Sequence, residues 1–328
     1  MTDTAATQLP TTQLPTTQLP TTQLSTTQLS TTLGPTPRAS APADVVPAPR
    51  AEATPLPSTG RPPRRATPRR YAMCRPEHFA VAYEINPWMD ASVAVDRDLA
   101  LAQWETLRRT YTGLGHEVDV VPALPGQPDM VFAANGGVVV RGRALGARFA
   151  HPERAAEGPA FAAWLRGAGV AVHEPEHVGE GEGDFLVVGE RVLAGTGFRT
   201  APAAHEEAAR VLGVEVVPLR LVDPRYYHLD TALAVLADDD VAYVAGAFDA
   251  ESRATLERLY PDALLVEDAD AAVLGLNAVS DGLHVVLPAA ATAMAADLDA
   301  RGYVPVPVDL SELLKGGGSV KCCTLELR

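Results

Sequence analysis

The run Gly316-Gly-Gly-Ser-Val-Lys-Cys322-Cys323-Thr324-Leu325 places a cysteine beside Lys321, after a glycine loop and before a short strand. Glycines let a backbone come close to a ligand. An ammonium neighbour lowers a thiol's pKa toward the nucleophilic thiolate, although a buried cysteine is also a common small hydrophobe. Tyr227-His228-Leu229-Asp230-Thr231 supplies a proton carrier and a carboxylate. Read as a strand, it turns His228 and Asp230 to one face, which suits acid/base chemistry beside a group that binds a cation. The alternative is a histidine satisfied by ordinary hydrogen bonds. Gly179-Glu180-Gly181-Glu182-Gly183-Asp184 alternates glycine with acid, as in a tight loop presenting carboxylates to a cleft. Its order of ligands is not that of an EF-hand, and a solvated acidic turn stays open. Gln127-Pro128-Asp129-Met130-Val131-Phe132-Ala133-Ala134-Asn135 is an apolar run framed by Asp129 and Asn135, and reads alone as a capped strand. Each segment is a weak signal by itself; the four together are not.

The elements that must position these residues follow a repeat. A helix-like stretch, a turn residue and a short β-branched strand recur at Gly115, Gly169, Gly213, Tyr260 and Gly302. Helices are predicted over Ser92–Leu114, Ala155–Arg166, Ala201–Leu212, Ala250–Leu259 and Ala289–Arg301. Paired strands precede several of them, as in Phe185–Val188 with Arg191–Ala194 and Ala232–Leu236 with Val241–Val244. The unit reads strand–strand–helix–strand, used about five times. Five such units closing on themselves bring their loops together at one end of an axis, where convergent functional residues are expected. The alternative is an open α/β sheet. No Gly-x-Gly-x-x-Gly follows a strand and no P-loop occurs, so nucleotide binding lacks support.

Bulk properties narrow the rest. The chain has 328 residues, 47% of them hydrophobic, with a formal net charge of -14. That balance argues against nucleic-acid binding, and no apolar run approaches a membrane span. Three cysteines, two of them adjacent, form neither a disulfide framework nor a zinc spacing, and point to a reducing, cytoplasmic setting. Residues 1–70 are a low-complexity Thr/Gln/Pro/Arg-rich tail in which three acids oppose seven arginines, leaving +4 there and -18 on residues 71–328. Such a tail is expected to be disordered and lacks the apolar core of a secretory signal. Met73 is an alternative start, and a homo-oligomer is left open.

Together the four segments resemble the guanidine-modifying enzymes, the amidinotransferase or pentein superfamily, across nearly all of residues 71–328. The resemblance implies a five-bladed α/β propeller, a small-molecule guanidino substrate and no metal or organic cofactor. It places Cys322 as nucleophile, His228 as general acid/base and Glu180 as the acid of the Glu-Gly motif. Glu182 competes for that last role, and Asp184 closes the motif. It places Asp230, Asn135, Asn86 and Asp129 around the substrate, and Arg154 and Arg199 as carboxylate-binding or site-shaping arginines. The segment from Cys74 to Met89, with Asp129-Met-Val-Phe-x-x-Asn135, looks most like the arginine dihydrolase branch. Similar segments also occur in dimethylarginine dimethylaminohydrolases. The implied activity is hydrolysis of arginine or N-methylated arginine through a covalent thiouronium. Amidino transfer and a non-catalytic arginine-binding regulator are the alternatives.

Overall fold

The structure is a computed structural model and describes residues 63–328. It contains five three-stranded sheets. In chain order the strands are β1 (Arg70–Cys74), β2 (Glu117–Val121), β3 (Gly137–Val140), β4 (Arg143–Gly146), β5 (Ala171–His173), β6 (Phe185–Val188), β7 (Arg191–Thr196), β8 (Glu215–Arg220), β9 (Leu233–Ala237), β10 (Asp240–Tyr243), β11 (Leu264–Leu265), β12 (Val279–Ser280), β13 (His284–Pro288), β14 (Val304–Val308) and β15 (Leu325–Glu326). Each sheet pairs its first two strands antiparallel. A helix then carries the chain to a third strand parallel to the middle one. This is the expected unit, five times over, in a five-bladed α/β propeller. One blade is assembled from both regions of the chain: β1 pairs in parallel with β2 and antiparallel with β15, with Tyr71 opposite Glu326.

The linking helices form where the apolar spacing predicts them. Arg97–Gly113 buries Ala100, Gln103, Trp104, Leu107 and Tyr111 along one stripe, and the Asp96 side chain caps it by accepting from Leu99 N. That cap is why the helix starts at Arg97 and not at Ser92. The other four lie within a few residues of expectation: Glu157–Gly167, Ala203–Leu212, Ala250–Leu259 and Thr292–Ala300. Apolar side chains fill the space between helices and sheets and between neighbouring blades, so the axis is left to polar residues. There Lys321 Nζ donates to Glu182 Oε2 at 2.7 Å, and Glu326 N donates to the same oxygen at 3.0 Å.

Most of the expected low-complexity tail lies outside the described residues. Its end packs on the body: Arg64 Nη2 donates to Asp240 Oδ2 at 3.0 Å, and Thr67 N donates to Asp281 O at 2.8 Å. Among the described residues no helix is long and apolar enough to cross a membrane.

Candidate active site

The candidate residues sit at equivalent places in the five blades. Asn135, Asp184, Asp230, Asn277 and Cys322 each stand one to three residues before the strand that leads into their blade, namely β3, β6, β9, β12 and β15. The segments before those strands touch one another, as where Ala134 N donates to Cys322 O at 3.0 Å and Asn277 Nδ2 donates to Asp230 O at 3.1 Å. Convergence therefore comes from repetition of one local structure.

The local structures differ from the sequence reading in an informative way. Tyr227–Thr231 is not a strand. His228 is extended and caps a one-turn helix, Leu229–Ala232, whose first turn holds Asp230. Asp184 Oδ1 accepts from Leu229 N at 3.0 Å and fixes that turn. Pro128–Val131 and Ala133–Gly136 are successive 3-10 turns, not a strand, and Gly181–Gly183 is another. Gly181 has φ +56°, and an added Cβ would lie 2.5 Å from Ala134 O and 2.6 Å from Gly137 N, so the acidic loop can only be built there on glycine.

Cys322 is buried, and its Sγ meets Asp230 Oδ2 at 3.3 Å and Asn277 Nδ2 at 3.1 Å. Burial, then the Asp230 charge, push its thiol well above the ordinary value. The expected help from Lys321 does not arise, because that ammonium faces the axis and is held by Glu182 and Thr324 O. His228 Nε2 lies 2.7 Å from Glu180 Oε2. Burial alone would raise the Glu180 carboxyl, but the His228 hydrogen bond and charge, with Arg199, hold it well below the usual range. Ala150 N and Arg199 Nη1 complete its shell at 2.9 and 3.1 Å. Of the two competing acids, Glu180 therefore faces the imidazole and Glu182 faces Lys321.

The arginines are internal struts. Arg154 commits its guanidinium to both Glu157 oxygens (2.9 and 2.8 Å), Asn135 Oδ1 (2.9 Å) and Asp129 O (3.2 Å). Arg199 also donates to Ile85 O at 2.7 Å, tying the segment between β1 and the first helix across the site. Asn86 belongs to that segment: its Nδ2 donates to Gly316 O at 3.2 Å and its Oδ1 accepts from Trp88 N. The amide thus braces the glycine loop that precedes Cys322. Asp129 is buried and accepts from Tyr83 OH at 3.0 Å.

Burial pushes Asp129 up to about 6 from 3.8, against the charge of Arg154. A carboxyl raised in the folded chain keeps a proton that the unfolded chain releases earlier, so its contribution to stability falls as pH rises through this window. Asp129→Asn removes that dependence. The loss of melting temperature between pH 4 and pH 7 is expected to be smaller in the variant, as read by thermal melts.

No family model matches the chain. Over 259 residues the chain is 60% identical to the N(G),N(G)-dimethylarginine dimethylaminohydrolase of Mycobacterium tuberculosis, covering 79% of this chain and 86% of that protein. The chain belongs to the dimethylarginine dimethylaminohydrolase family. It is also 39% identical over 267 residues to the bifunctional arginine dihydrolase/ornithine cyclodeaminase AgrE of Nostoc sp., covering 79% of this chain and 38% of that longer protein. Among solved structures, the N-terminal domain of the cyanobacterial arginine dihydrolase ArgZ, in a cysteine-to-serine mutant bound to substrate, matches with TM-score 0.76 and 37% identity. That match covers 79% of this chain and 97% of the domain.

Within the family's five-fold frame, one residue escaped the sequence reading. Asn277 uses its whole hydrogen-bonding capacity around the cysteine: Oδ1 accepts from Ser319 N and Cys322 N, and Nδ2 donates to Asp230 O and Cys322 Sγ. The signal was present in Gly275-Leu-Asn277-Ala-Val279, which stands before a strand as Asn135 and Asp230 do. Extending the repeat to its fifth copy finds it.

Proposed function

We propose that the chain is a cysteine hydrolase of arginine-type guanidinium groups, with arginine itself as substrate. The reading rests on one observation: Cys322 Sγ lies against Asp230, His228 pairs with Glu180, all four are buried, and Asp230 Oδ1 and His228 Nδ1 have no partner. A buried carboxylate oxygen left open suits a ligand rich in N–H donors and carrying positive charge. An unsubstituted guanidinium offers more N–H groups to Asp230 than a dimethylated one, which favours arginine. The cation also removes the obstacle to forming the thiolate: a positive charge against Asp230 offsets the carboxylate that holds the Cys322 proton in place. Sγ then bonds to the guanidinium carbon while its proton passes to His228. The C–N bond breaks as His228 returns that proton to the leaving ammonia, and a covalent thiouronium remains. Water adds to that carbon, giving its proton to His228, and the C–S bond breaks to regenerate the thiol. Glu180, held by Arg199 and Ala150 N, keeps the imidazole oriented.

One round converts arginine and water to citrulline and ammonia. A second attack on the ureido carbon yields ornithine, ammonia and carbon dioxide. The relation to the mycobacterial protein supports a second reading, in which an N-methylated arginine loses a methylamine. Product analysis by mass spectrometry separates the two: arginine is expected to disappear, and asymmetric dimethylarginine to persist. Release of dimethylamine with arginine untouched would overturn the choice of arginine. Inertness toward both would overturn the hydrolase.

A further inference from the structure

The Lys321–Glu182 pair also lines a cavity of about 50 Å³ whose walls do not include Cys322, His228, Asp230 or Glu180. Its walls come from four of the five blades: Val187 on β6, Val235 on β9, Val279 on β12, and Tyr71, Glu326 and Arg328 from the two ends of the composite blade. Arg69, Arg328 and Tyr71 line it, the two arginines also bordering an open cavity of about 500 Å³, and Arg69 Nε, Arg328 Nε and Tyr71 OH are buried without a hydrogen-bond partner. Tyr71 is 1% exposed.

The charges leave a deficit of acceptors. Arg69 Nη1 and Arg328 Nη2 share one carboxylate, Glu326, at 3.4 and 2.7 Å. Glu182 is occupied by Lys321 and by Glu326 N. Asp238 is exposed at the rim. Two guanidinium groups on one carboxylate leave a positive surplus, unusual in a chain of net charge -14. A buried donor left unpaired is destabilising because it has lost its water without gaining a partner, and guanidinium favours planar oxyanions. One water needs roughly 10–15 Å³ of such space, so the cavity admits roughly four non-hydrogen atoms.

We propose that this cavity binds a small planar oxyanion of the carboxylate or bicarbonate kind, received by Tyr71 OH and the Nε atoms of Arg69 and Arg328. The full-length chain is titrated with sodium acetate and, separately, sodium bicarbonate, against sodium chloride at matched ionic strength and pH, and followed by thermal melts. The expected result is a saturating rise of roughly 2–4 °C with one or both oxyanions and none with chloride; which salt acts identifies the source. Tyr71→Phe removes only the hydroxyl. It is expected to abolish the rise, yet to melt no lower than wild type in chloride, because the hydroxyl has no partner to lose. Arg328→Gln is expected to weaken the rise. A rise that survives in Tyr71→Phe, no rise with either oxyanion, or a Tyr71→Phe chain less stable in chloride would each overturn the proposal and leave ordered water as the occupant.

Discussion

Replacing Cys322 by alanine is expected to lower arginine turnover by about 10⁴–10⁶-fold, the scale seen when a nucleophile is removed. Arginine binding is expected to survive, because Asp230, Asn277 and the His228–Glu180 pair remain. Calorimetry with arginine and a discontinuous ammonia assay read the two quantities separately. The control is its neighbour. Cys323 is also fully buried, in the same apolar cluster around Tyr71, Trp104 and Val320, but it is Cys322 whose Sγ meets Asp230 and Asn277. Cys323→Ala should therefore cost stability through a small cavity while keeping kcat within a few-fold of wild type. Reversal of the pair, with Cys323→Ala inactive and Cys322→Ala active, would exclude Cys322 as the nucleophile.

The second large effect separates two acids only two residues apart. Glu180→Gln keeps the shape of the side chain but removes the charge that orients His228, and kcat is expected to fall about 10²–10⁴-fold. Stability falls as well, by about 3 kcal/mol, because one amide oxygen cannot serve both Ala150 N and Arg199 Nη1 and the buried Arg199 loses its countercharge. Glu182→Gln differs in its effect on activity. It leaves the Lys321 ammonium in the axis without its countercharge, and the expected loss is about 3 kcal/mol of stability, with the remaining folded enzyme active. Denaturant unfolding alongside kcat resolves the contrast. Equal activity losses in both variants would show that the imidazole does not depend on Glu180 in particular.

The propeller was legible because its signal is repeated. Five copies of one helix–turn–strand phrase average out local ambiguity, and the observed helices fall close to their predicted bounds. Two pairs of residue types were legible, since Cys322 meets Asp230 and His228 meets Glu180. The local conformation of the site was not. Short segments such as His228–Thr231 and Asp129–Asn135 carry too few residues to show a period, and hydrogen bonds from other blades decide them, as Asp184 does for Leu229 N. Neighbours in sequence misled where side chains diverge: Lys321 is adjacent to Cys322 but turns to the axis. Nor could composition reveal that Arg154 lies buried against Glu157 and Asn135 instead of standing free for a ligand.

The composite blade has a consequence for how the protein is made. β1 is the first of the described strands to leave the ribosome, yet Tyr71 must wait for Glu326 before its second edge is covered. At ordinary rates of synthesis the interval is on the order of 10–50 s, during which an apolar strand edge is available to other chains. Cys322 emerges in the same late stretch that closes that edge. The proposed nucleophile and the closing strand thus arrive together, and a polypeptide interrupted at any earlier point lacks both β15 and Cys322.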